Sequence, residues 1–429
     1  MNEKSTEPST ALTKRGASRP GIPGMKAPTP LRWLAALALF ALAIFSVRRS
    51  FTSTTDFRAN VWDAGRALLG GSDPFNVAEF NHLFPGQGWI PVYGPPHLWL
   101  AVLMAGLPLG VATGLWFSLN VIGMLVIAAL AVRCFGRAPW TPAVVAVAAV
   151  LILSRPVRAS FGQVTVYYVL ASYVAWSQAR RHPMVAAGAA TVALGKPPFG
   201  LPLLGLLVLT KAWPVVKRTA VLFGAISVPM VIWLAVNAGS LGALWHAIVL
   251  NLRYADGTAV DRLGSPGRVD AISLVGRYVH DVSGVWQVVA FVLLVVAGAW
   301  ALRRRRTEPA WSITAPVLLI LCSTSLLSIA HQGYDLLLLA WPFAATFSLA
   351  WERRGRGVWL LLLPSSLALA ASVVPTGTIA RWLGVTSFEG TLTTFTTACL
   401  LAVLVGAAVH VGLEERSKVA TSGPRAPQA

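Results

Sequence analysis

The chain has 429 residues, of which 55% are hydrophobic and only 12% are charged, and its formal net charge is +19. Soluble domains are about 25% charged, so this composition excludes an ordinary soluble enzyme and indicates a polytopic membrane protein. In such a protein an excess of Lys and Arg marks cytoplasmic loops, so the charge predicts no nucleic-acid partner. Cys134, Cys322 and Cys399 are far apart and show neither a disulfide framework nor a metal-binding spacing.

Polar ends flank a long apolar region. Residues 1–30 and 413–429 are predicted to be disordered cytoplasmic segments, and residues 31–412 a transmembrane domain. The first apolar run lacks a persuasive small-residue cleavage site, so we interpret it as a retained helix rather than a removed signal peptide. A spanning helix needs roughly 20 apolar residues, although shorter ones are tolerated inside a bundle. The candidates are 31–50, 114–133, 139–154, 164–178, 217–237, 284–302, 312–330, 335–351, 357–375 and 392–412.

Three further apolar stretches are too short to span. Residues 97–109 follow Pro95-Pro96, and we interpret them as an interfacial or re-entrant helix. Residues 184–195 and 198–210 are joined by Gly195-Lys196-Pro197-Pro198, and proline breaks a helix and biases the preceding residue away from it. We predict a broken or re-entrant pair with Lys196 at the break, buried in protein or lining a cavity. The fold class is therefore all-α, a bundle of about 10–12 transmembrane helices.

The distribution of charge predicts the orientation. With the N-terminus inside and 184–210 returning to the same side, every lysine except Lys196 is cytoplasmic, and most acidic residues lie outside. This arrangement fits the positive-inside rule. We expect a multi-pass protein of the cell membrane with both termini cytoplasmic. Two large loops, 48–96 (loop one) and 238–283 (loop three), then lie on the periplasmic or extracellular side, together with a short link that contains Arg155 and Arg158.

Loop one begins with Asp56, a few residues after the first span. Carboxylates at the edge of the hydrocarbon are costly and usually mark function. Apolar residues recur with helical spacing from Phe57 to Leu69, which predicts a short amphipathic helix at the membrane interface, ended by Gly70-Gly71. Asp56 would then be its N-cap, and capping alone is an alternative to a chemical role, although the two are compatible.

Two other carboxylates of loop one, Asp63 and Asp73, are candidates for binding a cation. Hard cations need several converging oxygens, which this spacing does not show. We therefore predict catalysis without a metal ion or another cofactor.

Several short motifs follow one another in order along the chain. They are Asp56-Phe57, a Leu68-Leu69 run that ends at Pro74-Phe75, Tyr93-Gly94-Pro95-Pro96, Leu107-Pro108, Leu115-Trp116 with Asn120, Gly162-Gln163, Leu194-Gly195-Lys196-Pro197 and Ser328 to Tyr334. In order and spacing this set resembles glycosyltransferase family 87, over most of residues 50–340. Gly94 interrupts the Tyr-Pro-Pro element of that family. The last motif lacks a proline and separates His331 from Tyr334, departures that bear on substrate specificity more than on the reaction.

The resemblance implies a GT-C-like bundle and an inverting hexosyl- or pentosyltransferase. The donor would be a polyprenyl-phosphate sugar, with mannose or arabinofuranose as the sugar, and the acceptor an outward-facing glycolipid or cell-envelope glycan. Asp56 matches the general base that takes the acceptor proton. The lipid phosphate that leaves needs cationic partners, for which Lys196, Arg155 and Arg158 are candidates. For Lys196 the alternative is a lysine that snorkels to the interface.

Four residues are candidates for binding the substrates: Tyr93, Asp63, Gln163 and His331. Gln163 is equally consistent with a polar residue at a helix start, and His331 with a structural hydrogen bond. A flippase for a lipid-linked sugar is the second function class, and it would show charges deep inside spans and pseudo-symmetric halves. A catalytically inactive partner subunit is the third, and Asp56 argues against it.

Overall fold

The computed structural model describes residues 55–85, 91–135, 147, 163–257, 265, 267–279, 284–303, 313–353, 361–368 and 388–421. The predicted span 31–50 lies outside these residues. So do all of 139–154 except Val147, most of 357–375, and both Arg155 and Arg158.

The described residues are almost entirely helical. The first helix, α1, runs through Thr55–Phe57, a π-helical turn Arg58–Trp62 and Asp63–Leu69. The others are α2 (Val77–Leu83), α3 (Pro95–Ala105), α4 (Leu109–Phe135), α5 (Thr165–Gln178), α6 (Pro183–Ala193), α7 (Pro197–Leu209), α8 (Trp213–Asn237), α9 (Leu241–Gly257), α10 (Ala271–Gly276), α11 (Gly284–Arg303), α12 (Ala315–Ser328), a 3-10 helix (Gly333–Leu339), α13 (Ala340–Arg353) and α14 (Phe388–Thr421).

Five helical stretches in the described part of the chain are long and apolar enough to cross a membrane. They are Leu109–Phe135, Trp213–Asn237, Gly284–Arg303, Gly333–Trp351 and Thr391–Val411. The prediction of an all-α polytopic membrane protein is confirmed.

The short helix α12 lies in the middle of the described bundle. Every residue of α12 is buried, and the helix packs against α7, α11, α13 and α14. Its 14 residues extend about 21 Å, less than the roughly 30 Å of hydrocarbon. Other helices surround α12, so its length does not have to match the thickness of the hydrocarbon.

The helix predicted in loop one is present. Its apolar positions are buried as expected and Arg66 on its polar side is exposed, but Asn60 and Asp63 are buried as well. The helix packs along α3 so closely that a Cβ on Gly65 would lie 2.1 Å from the carbonyl oxygen of Ala101. After α1 the chain turns at Gly71, which has a φ of +80°.

The predicted break at Lys196 is also present. Lys196 lies between α6 and α7 in an extended conformation, with φ −119° and ψ 98°. A Cβ on Gly200 would lie 2.4 Å from the Cα of Leu194, so α7 starts directly against the end of α6. The backbone N–H of Gly94 donates to the carbonyl of Gly195 at 2.9 Å. The start of α3 is therefore tied to the break.

Loops one and three meet at one end of α8. Asn237, the last residue of α8, donates from its amide to the carbonyls of Leu68 and Ser72 at 3.4 and 3.2 Å. Asn251 of α9 donates to the carbonyl of Pro91 at 3.0 Å. Loop three, which the sequence marked only as polar, thus contains the 17-residue helix α9 and the short α10.

Candidate active site

A buried ion pair joins the helix break to the 3-10 helix. The Nζ of Lys196 lies 2.8 Å from Oδ1 of Asp335, and their side chains are 7% and 2% exposed. Lys196 also donates to the hydroxyl of Thr165 at 3.2 Å, and this hydroxyl donates to Asp335 Oδ1 at 2.8 Å. The ammonium group lies 4.9 Å from the ring centroid of Phe199 and 5.1 Å from that of Tyr334. A buried ammonium is stabilised by such a carboxylate and such rings.

His331 adds a second donor to the same carboxylate. Its Nδ1 lies 3.0 Å from Oδ2 of Asp335, and its Nε2 lies 3.1 Å from the carbonyl oxygen of Pro198. Both partners are hydrogen-bond acceptors. We call Thr165, Lys196, His331 and Asp335 the Lys196 cluster.

Irregular backbone brings this cluster together. Lys196 precedes α7, and Thr165 is the first residue of α5. Asp335 lies in the first turn of the 3-10 helix, where it forms a capping box with Gln332. The sequence predicts a span over 335–351, but the residues that begin it are 3-10 helical, and the α-helix α13 starts only at Ala340. This tighter turn directs Asp335 towards Lys196.

A chain of hydrogen bonds connects this region to α1. The hydroxyl of Tyr168 lies 2.8 Å from Nδ1 of His97, and Nε2 of His97 lies 3.0 Å from the carbonyl oxygen of Asn60. Burial lowers the pKa of His97 to about 4, and the nearby positive charge of Lys196 acts in the same direction. The ring is therefore neutral near pH 7: its Nε2–H donates to Asn60 and its Nδ1 accepts from Tyr168. Tyr93 packs on His97 with ring centroids 4.5 Å apart.

Asp56 is partly buried in the first described turn of α1, within the helix rather than at its N-cap. The pKa of Tyr93 is raised well above its usual value, first by burial and then by neighbours that include Tyr334, Asp56 and Asp335. The carboxylates of Asp56 and Asp335 thus both raise the pKa of one phenol.

The other predicted residues lie apart from these contacts. Asp63 is fully buried, its closest cationic contact within the described chain is Arg58 at 3.6 Å, and burial raises its pKa. Gln163 is buried just before α5, and its Oε1 accepts no hydrogen bond from the described residues. The carboxylate of Asp73 accepts from the backbone N–H of Phe75 at 2.9 Å, which makes it a turn residue. Arg155 and Arg158 lie outside the described residues.

Four residues of this region were missed at the level of sequence: His97, Thr165, Tyr168 and Asp335. A signal existed for Asp335, because a lone lysine at membrane depth needs a carboxylate, and Asp335 borders an apolar span four residues after His331. The other three are common polar residues in apolar helices, and only the tertiary structure shows that they converge. Among the described residues no group of three or more His, Cys, Asp or Glu side chains is placed to hold a metal ion.

A cavity of about 610 Å³ opens beside the His97–Tyr168 pair. It is lined mostly by apolar side chains of α3, α5, α6 and α8, among them Trp99, Leu100, Val192 and Leu222. Two of these helices, α3 and α6, are short apolar helices, and one, α8, is a candidate span. The His97–Tyr168 pair therefore adjoins an apolar space between helices, whereas no residue of the Lys196 cluster lines it.

Comparison with known proteins identifies the family. The family model described as glycosyltransferase family 87 matches residues 91–328, which is more than half of the chain. The match contains His97, Thr165 and Lys196, whereas Asp56 precedes it and Asp335 follows it. No curated protein and no solved structure matches the chain. The chain belongs to glycosyltransferase family 87 and is a membrane glycosyltransferase.

Proposed function

We propose that the protein transfers a sugar from a polyprenyl-phosphate donor to an outward-facing glycolipid or cell-envelope glycan, with inversion at the anomeric carbon. Asp56 is the general base that takes the proton of the acceptor hydroxyl. Mannose and arabinofuranose are the two sugars we propose. The reaction takes place on the periplasmic or extracellular side of the cell membrane.

The observation that carries the proposal is the buried Lys196 cluster, which holds a cation in the interior of a family 87 glycosyltransferase. An inverting displacement needs a base on one side of the sugar and stabilisation of the leaving phosphate on the other. Asp335 holds Lys196 and His331, and the pKa of Tyr93 is raised by both Asp56 and Asp335. This shared influence on Tyr93 supports Asp56 as the base that serves the cluster.

The cluster suits a phosphate because it holds the ammonium group of Lys196, a cationic hydrogen-bond donor, in the protein interior. Lys196 and His331 are fixed before substrate binds, so they need little rearrangement when charge develops on the leaving group. Arg155 and Arg158 remain candidates for further phosphate contacts. Tyr93, Asp63, Gln163 and His331 remain the residues proposed to contact the sugar or the acceptor.

The apolar cavity suits the rest of the donor. A polyprenyl chain is a branched hydrocarbon, and its transfer from water into an apolar environment is favourable. The cavity lies between helices next to Tyr168, whose ring packs on Phe199 with centroids 6.1 Å apart. Phe199 in turn lies under the ammonium of Lys196. The rings of Phe199 and Tyr168 therefore connect Lys196, where we propose that the donor phosphate binds, to the apolar cavity.

A flippase for a lipid-linked sugar is the second candidate. The observation in its favour is the buried Lys196–Asp335 pair, because Asp335 lies in a candidate span and charges there often mark transport pathways. Such a protein would need the cluster but no general base, so Asp56 separates the two candidates.

The deciding experiment measures transfer of radiolabelled sugar from polyprenyl-phosphate mannose, and separately from polyprenyl-phosphate arabinofuranose, to endogenous lipids in membranes. We expect wild type to use one donor and Asp56→Asn to lose about 10²–10⁴-fold in rate, the range attributed to acid–base catalysis. Glu79→Gln is the control, since Glu79 is another carboxylate of loop one and glutamine can fill its place in the helix cap. Full transfer by Asp56→Asn at normal protein levels would exclude Asp56 as the base.

A further inference from the structure

Loop three pairs with the backbone that carries His331. Arg268 and Gln332 form an antiparallel bridge. The N–H of Val269 donates to the carbonyl of His331 at 2.9 Å, and the N–H of Gly333 donates to the carbonyl of Gly267 at 3.2 Å. Two three-residue segments thus lie side by side as a short ladder. These contacts satisfy backbone groups that no helix serves, because α12 ends at Ser328 and the 3-10 helix begins only at Gly333.

Arg277 holds the loop-three side of this ladder. Its Nη2 donates to the carbonyls of Arg268 and of Ser265, the latter at 3.2 Å, and to the hydroxyl of Ser273 at 3.2 Å. Its Nη1 donates to the hydroxyl of Thr394 in α14 at 3.0 Å. One guanidinium therefore joins both ends of the 265–273 segment to a candidate membrane span.

A buried ion pair and a helix cap complete the arrangement. Arg268 donates to both carboxylate oxygens of Asp270, at 2.8 and 3.1 Å, and the two side chains are 2% and 0% exposed. Asp270 also accepts from the N–H of Ser273 at 2.9 Å and so caps α10. The hydroxyl of Thr397 donates to the carbonyl of Val269 at 3.1 Å. The short helix α10 packs against α11, α12 and α14.

The consequence for the site lies in the orientation of two side chains. His331 directs its ring to Asp335 and Pro198, and Asp335 accepts from the backbone N–H of Gln332 at 3.2 Å. Both contacts depend on the path of residues 331–333, which is the segment that loop three pairs with. Any displacement of that path moves the imidazole and the carboxylate together.

We propose that residues 267–277, the loop-three clamp, position His331 and Asp335 against Lys196, with Arg277 as the positioning residue that holds the clamp closed. Arg277 touches none of the cluster side chains in the hydrogen bonds described above and acts through the backbone of residues 331–333. The proposal extends the proposed function by making loop three part of the active site, but its first test needs no activity.

That test is labelling of histidines by diethyl pyrocarbonate in the purified full-length protein, read out by mass spectrometry. His331 and His97 are 1% and 3% exposed, so both are protected when the site is intact. In Arg277→Ala, we expect labelling of His331 to rise about tenfold or more, since several charge-assisted hydrogen bonds that oppose local opening are lost. Labelling of His97, which is held by α1 and α5, stays at the wild-type level. Arg253→Ala, an exposed arginine of the same loop, is the control and labels as wild type does.

A rise at both histidines in Arg277→Ala would show general loosening and would overturn the proposal, as would an unchanged His331. Arg277→Lys keeps the charge but not the planar fork of donors, so we expect labelling between wild type and Arg277→Ala. If His331 is labelled equally in Arg277→Lys and in wild type, the planar guanidinium of Arg277 is not required to hold the clamp closed.

A second test uses Gly267, because a Cβ there would lie 2.8 Å from Oε1 of Gln332. Gly267→Ala should displace that side chain from the capping box and lower kcat/KM for the donor about tenfold. Gln332→Ser in the same chain removes the clash while keeping a hydroxyl to cap the 3-10 helix. We expect the double variant to recover most of the loss, whereas additive effects would exclude coupling through Gln332.

The two proposals fail in distinguishable ways. If wild type transfers sugar from neither donor but Arg277→Ala exposes His331 alone, the clamp stands and the proposed function falls. If transfer depends on Asp56 but His331 stays protected in Arg277→Ala, the function stands and the clamp falls.

Discussion

A single carboxylate, Asp335, organises the polar interior of this protein. It accepts from Lys196, Thr165, His331 and the backbone of Gln332. The free-energy cost of removing two charges from water exceeds their mutual attraction unless additional hydrogen bonds are present. Replacing a buried ion pair by hydrophobic residues often leaves a protein equally stable. A buried ion pair is therefore not needed for the fold, which supports a chemical role for this one.

The sharing of Asp335 by Lys196 and His331 predicts unequal effects of removing each partner. Asp335→Asn should lower the free energy of unfolding by about 3–5 kcal/mol, because Lys196 then loses its counter-charge and His331 its carboxylate partner. Lys196→Met should cost less, because Asp335 keeps His331 and Thr165. Thermal unfolding in detergent micelles measures the order. If Lys196→Met is the more destabilising variant, Asp335 is not the centre of the cluster.

The same lysine variant should still lose activity. Folded Lys196→Met protein keeps Asp56, the proposed base, but lacks the ammonium group proposed to contact the donor phosphate. Loss of transfer in a well-folded Lys196→Met protein would thus separate the chemical contribution of Lys196 from its contribution to stability.

At the level of elements, the decisive contact is that of α1 with α3. The helix α1 carries Asp56, its π-helical turn begins two residues after Asp56, and such turns are frequent at functional sites. Helical spacing in the sequence predicted α1, but it could not show that Asn60 and Asp63 are also buried. Their burial involves the packing of α1 on α3, which the pattern of α1 does not encode.

The close approach at Gly65 makes this contact testable. Gly65→Ala places a methyl group against the backbone of Ala101, which cannot move like the end of a side chain, so α1 must shift. We expect a loss of about 1–3 kcal/mol in unfolding free energy and a larger loss of transfer activity, because Asp56 moves with the helix. Gly114→Ala in α4 is the control, since no atom lies within 4 Å of the added Cβ. It should be neutral or stabilise the protein by about 0.5–1 kcal/mol.

A Gly65→Ala protein that matches Gly114→Ala in both stability and transfer would show that the α1–α3 spacing is not critical for the site.

For the whole molecule, hydropathy predicted the long spans well because lipid contact requires a long apolar stretch. Among the described spans, Leu109–Phe135, Trp213–Asn237 and Gly284–Arg303 contain the predicted 114–133, 217–237 and 284–302. The short apolar stretches 97–109, 184–195 and 198–210 were also recognised from the sequence, and they correspond to α3, α6 and α7. The Lys196 cluster was not predicted, since Lys196 and Asp335 are 139 residues apart and periodicity carries no information at that separation. Loop three was predicted as a polar segment, and its ladder with residues 331–333 had no local signal.

The orientation predicted from the distribution of charge leads to the last prediction. The helix α8 is a candidate span, with Lys217 near its start and Ser240 just after its end. Loop one contacts the end of α8 through Asn237, so Ser240 reports the side on which Asp56 lies. With Cys134, Cys322 and Cys399 replaced by alanine, Ser240→Cys should react with a membrane-impermeant thiol reagent in intact cells. Lys217→Cys should react only after the membrane is permeabilised, because Lys and Arg collect on the cytoplasmic side. Both side chains are exposed, so a lack of reaction reflects sidedness rather than burial. The opposite labelling pattern would place Asp56 and the Lys196 cluster on the cytoplasmic side, and an outward-facing acceptor could then not reach them.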